Sequence, residues 1–308
     1  MLQTVAANVA TLGIGHVVVQ VGDLTAAASF YRSVLGLTAA NIAWPRSGGS
    51  LTFATSEGQH VVLSQGNPGG DLSASAAHVG YAVSPQGYAR ILDTARAQGL
   101  AVYDYREDRP IEADNNAYIV DPSGNRIQLM RDAKLGGDGV ARTDHVAIEV
   151  NDILRAESLF SDWLGWEVAY RVGWNTDDYL KAKSKGEAGM REAMPGSRYW
   201  NERYSPFESE RRALRPCPQL YYSLGGEATL VVYLAARRFQ ISPDDIVVGM
   251  PRLGLTVKES DFDALAKLFA MQDLPFEGPA AHGGDVPIGA SLYLRDMCGN
   301  FLEFATAK

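Results

Sequence analysis

Cysteine is scarce in this 308-residue chain, with only two copies. Cys217 and Cys298 lie far apart and neither belongs to a CxxC, so reduced thiols packed in a core are expected rather than a disulfide scaffold. Long apolar runs are also lacking: none approaches the roughly 20 residues that a membrane helix needs. The opening stretch MLQTVAANVATLG has no basic segment ahead of its apolar residues, so a secretory leader is not expected and the chain reads as cytoplasmic. Positive charge is in deficit. Lys and Arg number 28 against 36 Asp and Glu, for a formal charge of −8. A surface that tracks phosphates needs clustered Lys and Arg, so nucleic acid is not an expected partner.

What remains is ordinary soluble-protein composition, 46% apolar and 21% charged. At 308 residues the chain is about twice a typical domain length, which predicts two domains, each with a core of its own.

The chain repeats itself. GHVVVQVGDLTAAASFYRSVLGL (15–37) aligns without a gap on DHVAIEVNDILRAESLFSDWLGW (144–166). His16 and His145 each open a β-branched strand, Asp23 and Asp152 stand where a helix N-cap belongs, and Gly36 and Gly165 stop the helix. A second pair matches in the same way: HVGYAVSPQGYARILDTARAQGL (78–100) on RLGLTVKESDFDALAKLFAMQDL (252–274). Each helix is followed by strand-like runs, for example SLTFATS and HVVLSQ in the first unit and ASLYLRD and FLEFA in the fourth. The order is therefore β-α-β-β-β, four times over. The third unit alone carries an insertion, about 173–217, whose SRYWNERYSPF mixes Arg198, Tyr199, Trp200, Arg203, Tyr204 and Phe207. Such a segment suits either a lid that stacks on a planar ligand or a subunit contact. The glycines of RDAKLGGDGVART (131–143) predict a flexible connector between halves, giving domains 1–135 and 143–308.

Four such units, with a strand-opening His and DPSGN at 121–125, resemble the vicinal oxygen chelate superfamily of glyoxalases, bleomycin-resistance proteins and type I extradiol dioxygenases. That resemblance implies an α+β fold in which the βαβββ units pair into two open-barrel domains around metal-holding clefts, either within halves or crossed between them, the crossed pairing placing His78 and Gln128 with His145. It also implies a site in the N-terminal half in which His16 and His78 bind a divalent ion with Gln128, which sits at the third-ligand position on the last strand of unit two. Two imidazoles and one oxygen donor on one side of an ion leave positions open for substrate. Fe(II) is favoured, with Mn(II), Ni(II), Co(II) and Zn(II) as alternatives. The extradiol pattern Y-x-x-D-P-x-G-x-x-x-E runs from Tyr118 through Gly124 and departs only at its end, where Gln128 replaces Glu. By the same resemblance His60 would be the acid/base and Tyr118 the orienting hydrogen-bond donor. The second His upstream of the Tyr is lacking, and Arg109 lies in its neighbourhood.

In the second half, His145 and Glu303 keep two ligand positions, Tyr293 sits ten residues before Glu303, and Arg252 replaces the second His. Guanidinium has no lone pair to offer, so that cleft is expected to hold no metal and to be filled by an Arg252–Glu303 ion pair. Binding of a carboxylate-bearing ligand by Arg252 is the alternative, and His282 lies on a Gly-rich loop nearby. The expected activity is ring-cleaving dioxygenation of a small aromatic diol in aromatic-compound catabolism. The neutral Gln128 favours instead a redox-neutral isomerase or lyase acting on a substrate with two adjacent oxygens. A metal-free ligand-binding or resistance protein stands as a third reading, and exposed sheet edges make a homodimer reasonable.

Overall fold

The computed structural model describes residues 8–47, 49–66, 77–103, 115–150, 153–172, 219–234, 252–297 and 299–308. The insertion at 173–217, Arg109, Asp152 and both cysteines lie outside them. Unit one comprises β1 (Gly13–Val21), α1 (Leu24–Ser33), β2 (Thr38–Ala40), β3 (Ser50–Ala54) and β4 (His60–Gln65). Unit two comprises β5 (His78–Val83), α2 (Pro85–Ala97), β6 (Val102–Tyr103), β7 (Asn116–Val120) and β8 (Arg126–Arg131). Unit three has β9 (Val140–Val150), a short α3 (Ile153–Glu157) that widens into a π-helical turn at Ser158–Trp163, then β10 (Val168–Val172), β11 (Gln219–Ser223) and β12 (Thr229–Leu234). Unit four has β13 (Arg252–Thr256), α4 (Phe262–Met271), β14 (Phe276–Ala281), β15 (Ile288–Arg295) and β16 (Phe301–Ala307). No helix among the described residues is long and apolar enough to cross a membrane.

Local chemistry explains the helix starts. Asp23 accepts hydrogen bonds from the amides of Thr25 and Ala26, and Ser84 caps α2 ahead of Pro85. Strand alternation then sorts the side chains. Val17, Val19 and Val21 of β1 and Val146, Ile148 and Val150 of β9 enter one apolar core shared with the helices. His16, Val18 and Gln20, and likewise His145, Ala147 and Glu149, take the opposite face.

The two eight-stranded sheets run β14-β15-β16-β13-β1-β4-β3-β2 and β10-β11-β12-β9-β5-β8-β7-β6. Unit one therefore pairs with unit four, and unit two with unit three. Of the two pairings, within halves or crossed, the sheets take the crossed one, so residues 1–135 and 143–308 each contribute to both sheets. The physical reason lies at the joints. β5 pairs antiparallel with β9, and β1 with β13. The connector between β8 and β9, expected to be flexible, is tied down: Ser84 Oγ donates to the Gly137 carbonyl at 2.5 Å, Arg90 Nε to that of Asp138 at 2.5 Å, and Arg142 pairs with Asp132 at 3.3 Å. Eight residues fastened this way carry the chain directly from unit two onto its neighbour's edge.

Matched clamps join the sheets. Asn125 Nδ2 donates to the Gln20 carbonyl at 3.0 Å, and Asn300 Nδ2 to that of Glu149 at 3.0 Å. In each case an Asp at the start of the turn fixes the Asn: Asp121 Oδ2 and Asp296 Oδ2 each accept from that side-chain amide at 2.9 Å. The DPSGN motif is thus a staple between sheets.

Candidate functional site

Each sheet encloses one cleft. The inner cleft lies on units two and three and the outer cleft on units one and four. In both, an imidazole crosses from one unit to the next over a glycine. A Cβ on Gly80 would fall 2.0 Å from Cε1 of His145, and one on Gly254 would fall 2.1 Å from Cε1 of His16. Only glycine leaves room for these rings.

In the inner cleft three side-chain atoms converge. His78 Nε2 stands 3.0 Å from Gln128 Oε1 and 3.0 Å from His145 Nε2, and His145 Nε2 stands 3.1 Å from Gln128 Oε1. This triangle cannot be satisfied by hydrogen bonds alone. Each corner is either a donor or an acceptor, so of three mutual contacts at least one sets like against like, whichever way the amide and the imidazoles are protonated or turned. A cation at the apex removes that conflict by taking a lone pair from each corner. Donors at neighbouring positions of an octahedral ion with bonds of about 2.1 Å stand about 3.0 Å apart, the spacing of all three edges. Among the described residues no three His, Cys, Asp or Glu side chains are grouped for a metal. Here an amide completes the set, and the donors fit a divalent ion.

The surroundings match that use. Asp144 Oδ2 lies 2.7 Å from His145 Nδ1. A carboxylate there accepts the Nδ1 proton and leaves Nε2 its lone pair. Tyr118 stands edge-on to His78 at 5.5 Å, and Tyr233 at 6.1 Å. By register Val231 occupies the fourth position, opposite Ala147 as Gln128 is opposite Gly80. Ala82, Met130, Asn115 and Asp144 line a pocket at one end of the cleft. Tyr170, 54% exposed, stacks on Tyr221 at 4.0 Å on the other wall. Burial first, then the Asp144 charge, raise the Tyr170 hydroxyl above its ordinary pKa.

The outer cleft fills the same lattice differently. His16 Nε2 meets Glu303 Oε2 at 2.9 Å, Arg252 Nε meets that oxygen at 2.8 Å, and Ser291 Oγ donates to Glu303 Oε1 at 2.5 Å. Val62 takes the fourth position, opposite Val18. Burial pushes the Glu303 carboxyl up, but His16, Arg252 and Ser291 outweigh it and bring the pKa down to about 2. Trp44 lies 4.6 Å from His16 and packs with Val18, Val62, Val286 and Ile288, so it plugs the cleft. His282 hydrogen-bonds Ser291 at 2.9 Å, and the Tyr293 ring sits under the Arg252 and Arg46 guanidiniums. Burial, then the Glu303 charge, raise the Tyr293 hydroxyl to about 12.

The residues expected to act together are thus redistributed. His78 and Gln128 meet, but the third member is His145, not His16, which belongs to the other sheet. His60 is also in the outer cleft, with its ring 5.4 Å from Trp44, so it does not stand with Tyr118. Burial, then the nearby His16, lower its pKa. Arg252, Tyr293 and Glu303 stay together and take His16 in place of His145. Asp144, Trp44 and Tyr233 went unnoticed in the sequence. The Asp-His dipeptide, where the other copy has Gly-His, is the signal that marks Asp144.

Residues 13–129 match the family model for the Glyoxalase/Bleomycin resistance protein/Dioxygenase superfamily. Among solved structures, a Bacillus subtilis protein described as a "putative dioxygenase" matches with 14% identity and a TM-score of 0.60, over 97% of this chain and 86% of its own. Glyoxalase I from Zea mays matches with 14% identity and a TM-score of 0.57, over 96% and 92%. No curated protein sequence matches. The likeness to that superfamily is thus one of sequence over residues 13–129 and one of fold over nearly the whole chain.

Proposed function

We propose that this protein is a metal-dependent enzyme of the vicinal oxygen chelate superfamily whose inner cleft acts on a small molecule with two adjacent oxygens, as a redox-neutral isomerase or lyase. His78, Gln128 and His145 would hold one divalent ion. The observation that carries the reading is their triangle of 3.0, 3.0 and 3.1 Å, in which hydrogen bonding alone leaves a conflict. An ion bound there supplies Lewis acidity toward the substrate oxygens. Two imidazoles and an amide would put no anionic atom on the ion itself, which favours that role over oxygen activation.

The chain's own groups supply the rest. Tyr118, on β7 opposite Gln128, offers a hydroxyl that orients a substrate oxygen. Ala147, Val231 and Tyr233 form an apolar wall that keeps water from the reacting atoms. The pocket along Ala82, Met130 and Asn115 takes the remainder of the substrate.

Ring-cleaving dioxygenation with Fe(II) is the second reading. The motif from Tyr118 to Gly124 favours it, while the position of His60 in the other cleft leaves it without the acid/base it would use. Metal analysis of protein purified without chelators tests the main reading. One equivalent per chain is expected, lost in His78→Ala and in His145→Ala. Zero equivalents would end it, and two would undo the assignment to the inner cleft alone. Panels of α-ketoaldehyde–thiol adducts and of catechols, the latter with an oxygen electrode, then separate isomerase from dioxygenase.

A further inference from the structure

We propose that Asp144 is a positioning residue that supplies, one residue outside the triad, the negative charge that Gln128 lacks, and that it sets the site's affinity for a divalent ion. The inference rests on the reading of the inner cleft given above.

The two clefts place their carboxylates in opposite ways. In the outer cleft Glu303 is one of the converging groups, and the residue before His16 is Gly15, which has no side chain. In the inner cleft the corresponding group is the Gln128 amide, and the residue before His145 is Asp144, 2.7 Å from its Nδ1. The charge has moved from the first ring of contacts to the second. Without it, two imidazoles and an amide, each at most 7% exposed, would face a doubly charged ion with no charge of their own to balance it. With it, the carboxylate draws the Nδ1 proton, fixes the tautomer and makes Nε2 a stronger donor.

At 28% exposure Asp144 lies beside the cleft rather than in the core, so neutralising it leaves packing intact. Asn keeps an oxygen that accepts the Nδ1 proton but carries no charge, which separates charge from orientation.

Calorimetric titration of Co(II) into the metal-free full chain, with the cobalt absorption spectrum as a second readout, tests the proposal. Asp144→Asn is expected to lower Co(II) affinity by about 10- to 100-fold, the range for outer-shell partners of a ligating His, with an unchanged thermal melt of the metal-free protein. Adding Gln128→Glu to Asp144→Asn is expected to restore affinity, and Asp144→Glu to retain most of it. Equal affinity of wild type and Asp144→Asn would overturn the proposal while leaving the triad reading standing. Loss without rescue by Gln128→Glu would overturn the charge argument. A wild type that binds no Co(II) would remove the triad reading itself.

Discussion

The inner and outer clefts share one lattice. Each has an imidazole laid over a glycine, a second residue at the start of the neighbouring first strand, a third on the last strand and a valine at the fourth position. What differs is two converging side chains, the residue before the laid-over imidazole (Asp144 against Gly15) and a plug. His78 and Gln128 leave a triangle that hydrogen bonds cannot satisfy, with the three side chains 6 to 7% exposed. Arg252 and Glu303 form an ion pair with His16, exposed by 2% or less and sealed under Trp44. A guanidinium occupies in one cleft the role that an ion would have in the other. One fold thus uses the same positions for stability on one side and, on our reading, for chemistry on the other.

The largest expected effect breaks the outer network. Glu303→Gln breaks the buried Arg252–Glu303 ion pair, a loss of about 3–5 kcal/mol for such a pair. In the metal-free protein Gln128→Ala removes the two uncharged contacts of its amide oxygen, not both of which can be good hydrogen bonds if the two imidazoles also bond each other, and is expected to cost only about 1–2 kcal/mol. Urea denaturation of both variants measures the difference. Equal costs would mean that the two clefts do not divide the work as argued.

Acid sharpens the same contrast. Because the folded-state pKa of Glu303 is depressed from 4.5 to about 2, its contribution is fully present above pH 4.5 and is lost as pH falls toward 2. Stability should therefore decline through that window, and Glu303→Gln should flatten this part of the profile. Chemical denaturation at a series of pH values checks it.

The glycines come next. Gly80→Ala and Gly254→Ala each drive a methyl into an imidazole, and crowding of this kind costs about 1–3 kcal/mol. The readouts should diverge. Gly80→Ala displaces His145 and should abolish Co(II) binding, whereas Gly254→Ala displaces His16 and should lower the melting temperature with cobalt affinity unchanged.

Much of this was legible in the sequence. The offset repeats gave four βαβββ units, because strand alternation and helix caps are local signals. Arg252 declared its cleft different, since a guanidinium cannot ligate. The partnering of units was not legible. The first strands of all four units show the same alternation, and either pairing yields chemically sensible groups: His16 with His78 and Gln128, or His145 with them. What decides is the fastening of residues 132–139 by Ser84, Arg90 and Arg142, contacts between groups distant in sequence. The same regrouping moved His60 away from Tyr118. Asp144 was overlooked because its partner is the next residue, a spacing that no ligand pattern encodes.

The smallest expected effect concerns the place where the two regions should agree. Asn125 and Asn300 hold the same turn, each bonded to its Asp and to a carbonyl of the opposite sheet at 3.0 Å. Replacing either with Ala removes two part-buried hydrogen bonds, one to its Asp and one to backbone of the opposite sheet, and should cost about 1–2 kcal/mol. Because the turns are equivalent, the two losses should be alike, and metal binding should change in neither variant. A loss confined to Asn125→Ala would mean that the sheets lean on the inner-cleft side, so that the asymmetry reaches beyond the clefts into the frame that holds them.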